Sequence, residues 1–170
     1  MASNTQKMTM FATLGAVALL LWKPLADPLP MFIWNASASV PVGLYYVKKR
    51  HPFHGEIAVL RPPEWAALIM DERHYLPRTA WLLKPVAAVN GDVVCRFGTY
   101  VFINARAVAR ALRHDKLSRP MPGWKGCLRL KSRQLFLLSK HWDSFDSRYF
   151  GSVDSSLVTG TAKFIIFLGK

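Results

Sequence analysis

The residues that could perform chemistry in this chain fall in three short segments. The first is NASASVPVGLYY, residues 35–46, where two serines precede a Pro-Val-Gly turn that can present a hydroxyl group at a surface. The second is WLLKPVAAV, which contains Lys84, and the third is the polar segment SFDSRYFG, residues 144–151. A serine hydroxyl next to a neutral amine can perform acyl transfer, with the serine as the nucleophile and the amine as its base.

Lys84 stands in an otherwise apolar segment, and burial there would favour its neutral form. At the ordinary lysine pKa of about 10.4, roughly one side chain in a few thousand is neutral at pH 7. A pKa of about 7 or 8 makes a large fraction available as a base. The alternative is an edge-strand lysine whose ammonium group reaches solvent. In the third segment, Asp146 and Arg148 can pair across a turn, although a surface ion pair would contribute little.

The histidines and cysteines indicate neither a metal site nor a cofactor. Cys95 and Cys127 belong to no Cys-x-x-Cys or Cys/His pattern, so zinc is not expected. Their spacing of 32 residues is compatible with two neighbouring strands. They could form a bridge in an oxidising compartment and would remain thiols in the cytosol. No pattern requires a Ser-His-Asp triad among the five histidines, which are His51, His54, His74, His114 and His141.

The length of 170 residues predicts one domain with a short appendage. Residues 8–22 carry no charge and have a lysine on each side, which indicates a membrane insertion signal. We therefore predict a membrane anchor or signal segment over 1–27, with an uncleaved anchor preferred, and a catalytic domain over 28–170. A second apolar patch, residues 28–34, would touch the bilayer. The net charge of +13 would attract polyanions or anionic lipids, and it does not distinguish between them.

Short apolar alternations between proline-rich breaks predict a mainly β fold with one or two short helices. Helices are expected over 63–73, where Pro63 suits a helix start, and over 105–114. Residues 116–125 are predicted to form an exposed loop. Asn90-Gly91 is predicted to turn a tight hairpin. The predicted strands are 56–60, 81–89, 92–96, 100–103, 134–139 and 162–168.

In their order and spacing, these segments resemble the signal peptidase I superfamily. Ser39-Val40-Pro41 is similar to the family's nucleophile box, and Gly55-Glu56 resembles its first Gly-Asp strand, with Glu in place of Asp. Lys84 precedes Asp92 by eight residues, which is the family's spacing from the catalytic lysine to a Gly-Asp pair. SFDSRYFG resembles the family's last box.

The resemblance implies a role for each of these side chains. Ser39 would be the nucleophile, preferred over Ser37, and Lys84 would be the general base, with Asp146 included in the catalytic set. The Ser37 hydroxyl would help to form the oxyanion hole, and Ser144 would orient the lysine amine. Arg148, together with Asp146, would hold the loop. The implied fold is the β fold of signal peptidases with one N-terminal membrane helix.

Within the superfamily, the Ser-x-Pro-x-Gly-Leu-Tyr form of the first box and the Lys-Pro-Val of the lysine box resemble TraF-type peptidases of conjugative transfer. This likeness implies processing, and in some members cyclisation, of a pilin precursor at the periplasmic face of the bacterial inner membrane, with no nucleic acid required. Two alternatives stay open. One is a general signal peptidase that hydrolyses exported precursors, and the other is a non-enzymatic basic membrane protein that binds nucleic acid or anionic lipid.

Overall fold

A computed structural model describes Thr13 and residues 29–167, and its strands form two sheets in which neighbouring strands run antiparallel. The helices are α1 (Glu64–Glu72) and α2 (Ser147–Phe150), and a 3₁₀ turn covers Ser155–Leu157. The strands are β1 (Phe32–Asn35), β2 (Gly43–Lys48), β3 (Ile57–Leu60), β4 (Leu82–Ala88), β5 (Val93–Phe97), β6 (Tyr100–Ile103), β7 (Arg106–Arg110), β8 (Gly126–Arg129), β9 (Gln134–Leu137), β10 (Val153–Asp154) and β11 (Val158–Ile166).

The large sheet has seven strands in the order β1-β2-β11-β3-β4-β9-β10, and the small sheet has four in the order β7-β6-β5-β8. Each predicted strand overlaps an observed one, so the mainly β prediction is confirmed. Five further strands, β1, β2, β7, β8 and β10, were not predicted. The order places β4, which carries Lys84, between β3 and β9 inside the large sheet.

Alternation along the central strands buries both faces of the large sheet. Leu82 and Val86 of β4 contact one buried cluster, whereas Leu83 contacts another on the opposite face. Since side chains two residues apart share a face of a strand, Lys84 lies on the same face as Leu82 and Val86. Helix α1 contributes Ala66 and Met70 to that cluster and confirms the helix predicted over 63–73.

Gly43, the first residue of β2, lets β2 approach β11 closely. Its φ is +147°, and a Cβ atom built there would lie 2.5 Å from the carbonyl oxygen of Ile166. A larger residue would push the two strands apart. The close approach fixes one end of the loop between β1 and β2.

The turn at Asn90-Gly91 joins the two sheets and does not close a hairpin, so this prediction is wrong in its connectivity. Gly91 has the expected positive φ of 93°, but β4 pairs with β3 and β9, whereas β5 pairs with β6 and β8. The Asp92 carboxylate accepts a hydrogen bond from the Val89 backbone N–H at 2.8 Å, which stabilises the turn. The dipeptide therefore indicated a turn without indicating which strands it connects.

The helix predicted over 105–114 is wrong, because this region forms β7 and a following extended segment. Asn104 and Ala105 both have positive φ and turn the chain back, so that β7 pairs with β6. The alanines suggested a helix, but backbone pairing across this hairpin outweighs their weak intrinsic preference. The loop predicted over 116–125 lacks regular structure, yet Met121 and Trp124 are partly buried.

The predicted anchor, residues 1–27, lies outside the described residues except for Thr13. Among the residues that are described, no helix has the length and apolar character needed to cross a membrane.

Candidate active site

Ser39 lies in the loop between β1 and β2, and two contacts from outside that loop fix it. Asn35 and Gly43 face each other in the register of the two strands, so the seven residues between them are closed by a strand pair. The Tyr45 hydroxyl donates to the carbonyl oxygen of Pro41 at 2.7 Å. The Ser139 hydroxyl donates to the carbonyl oxygen of Ser39 itself at 2.5 Å. The backbone that carries the serine is therefore anchored on both sides.

The buried side chain of Asn35 makes several hydrogen bonds within this loop. Its Nδ2 donates to the carbonyl oxygens of Ser37 at 2.7 Å, Val40 at 3.0 Å and Pro41 at 3.1 Å. Its Oδ1 accepts from the Ser37 backbone N–H at 3.2 Å and from the Ser37 hydroxyl at 2.9 Å. Asn35 thus replaces the strand ladder as the source of hydrogen bonds where the chain leaves β1.

Lys84 Nζ lies 2.7 Å from Ser39 Oγ, although the two residues are 45 positions apart in the sequence. The lysine is only 4% exposed, so its amine is directed into the protein and not into solvent. Its strand position explains this orientation, because the apolar neighbours on the same face of β4 belong to the core. The edge-strand alternative is therefore excluded by the position of β4 within the sheet.

Burial lowers the pKa of Lys84 from 10.5 to about 8. The negative charge of Asp146 raises this pKa and the positive charge of Arg148 lowers it, so the two opposing effects leave burial as the dominant cause. About a tenth of the side chains are then neutral at pH 7, compared with one in a few thousand in water. Holding the ammonium form in this site costs on the order of 3 kcal/mol, which the rest of the fold must offset.

Ser144 completes a triangle of polar atoms with Ser39 and Lys84. Lys84 Nζ donates to Ser144 Oγ at 2.7 Å, and the two serine Oγ atoms lie 3.1 Å apart. A neutral amine that donates one N–H to Ser144 can direct its lone pair toward the Ser39 hydroxyl proton. This contact fits the lysine-orienting role that the resemblance implies.

Asp146 and Arg148 form a buried ion pair and not the surface pair considered as the simpler alternative. They are 0% and 2% exposed, and Arg148 Nε lies 2.8 Å from Asp146 Oδ1. Arg148 also donates to the carbonyl oxygens of Ser139 and Trp142, at 2.7 Å and 2.9 Å. Asp146 accepts from the Ser139 backbone N–H at 3.0 Å. These are the contacts of positioning residues, and a catalytic role for Asp146 stays a prediction.

The triangle of Ser39, Lys84 and Ser144 opens into a cavity of about 820 Å³. Its lining includes residues 33–39 on one side and the irregular segment from Leu112 to Met121 on another. Within that segment, Asp115 pairs with Arg119 at 2.7 Å and with Arg73 at 3.6 Å. A cavity of this size can accept several residues of an extended peptide.

Ser139 and Asn35 both support the Ser39 loop, and neither was predicted to do so. Ser139 follows an apolar strand, and nothing in the sequence indicates that it contacts Ser39, which is 100 residues away. For Asn35 a signal existed, since a short polar side chain immediately before a loop commonly bonds to nearby backbone groups. Its position four residues before Ser39 could have indicated that its side chain stabilises the loop.

Glu56 lies away from the triangle and forms an exposed pair with Arg50, with Nη2 and Oε1 2.5 Å apart. The hydrogen bond from Arg50 is the main cause that lowers the pKa of Glu56 to about 2. Across the described part of the chain, no three His, Cys, Asp or Glu side chains are grouped so that they could hold a metal ion. The arrangement around Ser39 instead supplies a nucleophile, an adjacent amine with a lowered pKa and a cavity for an acyl donor.

The family profile described as signal peptidase, peptidase S26, matches residues 4–167. A plasmid transfer protein TraF of Escherichia coli is 28% identical over 168 residues, which cover 92% of this chain and 94% of that protein. A probable conjugal transfer protein TraF of Sinorhizobium fredii is 32% identical over 144 residues, or 78% of this chain and 75% of that protein. A signal peptidase I structure from Enterococcus faecalis aligns with a TM-score of 0.39 and 15% identity, covering 67% of this chain and 98% of that one.

The profile match spans nearly the whole chain. The two relatives named above align with this chain over most of their own length, and both are called TraF. The resemblance inferred from the three segments is thereby confirmed. This chain belongs to the peptidase S26 family, as one of its TraF-type members.

Proposed function

We propose that this chain is a Ser/Lys-dyad peptidase that processes a pilin precursor during conjugative plasmid transfer, with Ser39 as nucleophile and Lys84 as general base. The observation that carries the proposal is the 2.7 Å separation between Ser39 Oγ and the buried Lys84 Nζ. The similarity to plasmid transfer proteins named TraF supports a role in conjugative transfer, and the pilin precursor is the substrate that we propose for that role.

The dyad forms an acyl-enzyme in two steps, addition to the carbonyl and loss of the amine, and each step moves one proton. Neutral Lys84 takes the Ser39 hydroxyl proton as Oγ attacks the substrate carbonyl carbon, giving a tetrahedral intermediate with a negative oxygen. The Ser39 backbone N–H and the Ser37 hydroxyl donate hydrogen bonds to that oxygen. The Lys84 ammonium then returns its proton to the departing amine nitrogen as the peptide bond breaks. Removal of one such donor typically costs about 10²–10³ in kcat.

The acyl-enzyme has two possible acceptors. Attack by water releases a linear product, whereas attack by the α-amine of the same precursor joins its ends and releases Ser39. In either case, the neutral amine of Lys84 takes a proton from the attacking group. We propose cyclisation as the outcome in this TraF-type member, with hydrolysis as the outcome that the experiment below can instead reveal.

An apolar edge of the large sheet supports action at a membrane surface. Phe32 and Trp34 of β1 are 50% and 47% exposed, and Met31, which precedes β1, is 61% exposed. Phe167, just after β11, is 57% exposed. Ile33 packs against the core, so Phe32 and Trp34 face away from it. Exposed aromatic side chains beside Ser39 suit contact with lipid at the interface, where a membrane-inserted precursor would be cleaved.

The periplasmic face of the inner membrane is the proposed location. Cys95 and Cys127 are bonded to each other across β5 and β8, and such bridges persist in oxidising compartments such as the bacterial periplasm.

The proposal is tested by co-expressing the chain with the pilin precursor encoded by the same transfer system and weighing the product by mass spectrometry. The parent chain should shorten the precursor, and Ser39→Ala and Lys84→Ala should leave it intact. A product lighter by one water than the linear mature peptide identifies cyclisation, and a product of the linear mass identifies hydrolysis. Processing retained in both variants would refute the dyad, while Ser152→Ala, a serine outside the triangle, serves as the matched control.

A further inference from the structure

The hydroxyl of Ser37 is already engaged before any substrate is present. It donates to Asn35 Oδ1 at 2.9 Å, and a serine hydroxyl has a single proton to donate. A hydroxyl in this orientation cannot at the same time donate to a negatively charged oxygen in the cavity. For Ser37 to stabilise the oxyanion, its proton must turn away from Asn35.

Asn35 can release that proton without being left unsatisfied. Its Oδ1 also accepts from the Ser37 backbone N–H at 3.2 Å, so one hydrogen bond remains when the hydroxyl turns. Its Nδ2 continues to donate to the carbonyl oxygens of Ser37, Val40 and Pro41. Because Asn35 is only 8% exposed, water is largely excluded as a partner for its Oδ1, so the bond from the Ser37 backbone N–H is the one that keeps Oδ1 satisfied.

We propose that Asn35 is the positioning residue of the oxyanion hole: it holds the Ser37 hydroxyl at rest and yields it when the acyl carbonyl becomes negatively charged. The inference rests on the proposed function, since it assigns a partner to the oxyanion donor of the same reaction. Asn35 acts through Ser37 and does not touch the reacting atoms. It controls the competition for one proton between its own amide oxygen and the substrate oxygen.

Replacement of Asn35 by aspartate changes that competition with little change in shape. A carboxylate binds the hydroxyl proton more strongly than an amide oxygen does, so less of it is available to the oxyanion. The carboxylate also lacks the N–H donors that reach the three carbonyl oxygens. The first effect requires the Ser37 hydroxyl, whereas the second does not, and this difference separates positioning from simple loop support.

The experiment measures kcat and KM for p-nitrophenyl acetate with the purified full-length chain in detergent. The enzymes are the parent, Asn35→Asp, Ser37→Ala and the double variant, with Asn90→Asp as a matched charge control in an exposed turn. Asn35→Asp should lower kcat about tenfold or more with KM within twofold, approaching the loss expected on removing an oxyanion donor. In the Ser37→Ala background, the same change should lower kcat less than threefold. Thermal unfolding midpoints of all variants are recorded alongside.

An equal loss in both backgrounds would mean that Asn35 only supports the loop, and the inference would then be wrong while the dyad stands. Unchanged kcat in Asn35→Asp would overturn it as well. Ser39→Ala separates this failure from that of the proposed function. If Ser39→Ala turns over the ester as fast as the parent, the nucleophile is wrongly assigned and the inference falls with it.

Discussion

The two sheets of this protein are stabilised in different ways. The large sheet carries Lys84 and abuts the buried ion pair of Asp146 and Arg148, so charged groups lie inside its core. The small sheet is held by the bond between Cys95 and Cys127, which face each other across β5 and β8. No side chain of the catalytic triangle comes from the small sheet.

The large sheet thus holds the groups that set the reactivity of the site, whereas the disulfide of the small sheet only restricts the conformations of the unfolded chain. Buried charges shift pKa values and fix geometry, but they destabilise the fold when a partner is lost. A disulfide acts mainly by restricting the unfolded chain and leaves the chemistry of the folded site unchanged. Arg96 of β5 connects the small sheet to α2, because its Nη1 donates to the carbonyl oxygen of Arg148 at 2.5 Å. The predictions below run from the largest to the smallest expected effect on activity, and the pH dependence of stability is given with that of activity.

The largest effect is expected for Lys84→Met, which keeps the apolar stem and removes the amine. Processing of the pilin precursor should fall by on the order of 10⁴-fold or more, since loss of the base stops acylation. The free energy of unfolding at pH 7 should rise by about 1–3 kcal/mol, because a costly buried amine is replaced by an apolar group. Denaturant unfolding and a processing assay measure the two changes. Lys163→Met, at an exposed position of β11, is the control and should alter neither.

Arg148→Ala should affect both activity and stability. It leaves Asp146 buried without its partner, so the free energy of unfolding should drop by about 3–5 kcal/mol. Processing should fall by about 10² or more in the fraction that remains folded, since the carbonyl oxygens of Ser139 and Trp142 lose the hydrogen bonds that hold the segment before Ser144. The matched control is Arg50→Ala, which breaks the exposed pair with Glu56 and should change the free energy of unfolding far less than Arg148→Ala does. Similar losses in both variants would contradict the distinction between the buried and the exposed pair.

Activity should rise with pH in the range set by the lowered pKa of Lys84. With a pKa of about 8, roughly 1% of the amines are neutral at pH 6 and half are neutral at pH 8. Processing by the parent should therefore rise about 50-fold between these values and level off above them.

The stability of the parent should change in the same direction. Because folding lowers the Lys84 pKa, the ionised amine destabilises the fold below about pH 8, and this cost disappears as the pH rises from about 8 toward 10.5. Unfolding measured across this range should show the rise in the parent and not in Lys84→Met. A pH-independent processing rate between 6 and 8 would contradict the assignment of Lys84 as a neutral base.

The smallest effect on activity is expected for the double variant Cys95→Ser/Cys127→Ser. Loss of a bridge that closes a loop of this length should lower the free energy of unfolding by about 3–4 kcal/mol. Processing per folded molecule should stay within about threefold of the parent at 25 °C, because no catalytic hydrogen bond involves the small sheet. A fall in kcat as large as that of Arg148→Ala would show that the small sheet takes part in catalysis.

The local features of the fold and site were predictable from short segments. Alternation identified β3, β4, β5, β6, β9 and β11 to within a few residues at most of their ends, and Pro63 correctly indicated the start of α1. The resemblance of the three segments to the family's boxes singled out Ser39, Lys84 and Ser144, and the fold brings these side chains together, while their catalytic roles stay predictions. The strand and helix predictions succeeded because each depends on residues close together in the chain.

The features that were not predicted depend on contacts between distant residues. The partner of Ser139 is 100 residues away, and the burial of Asp146 and Arg148 follows from the packing of α2 and β9, which no local pattern reveals. β7 was mistaken for a helix because its strand state is imposed by pairing with β6. The cysteine bridge also required the register that sets Cys95 opposite Cys127.

The bridge between Cys95 and Cys127 also bears on how this protein and its relatives can diversify. The covalent ring that it closes contains the irregular segment from Leu112 to Met121, which lines the cavity beside Ser39. Insertions or exchanges within that ring would reshape one wall of the cavity, while Ser39 and Lys84 lie outside it. That wall can therefore change in sequence without any change in the two residues of the proposed dyad.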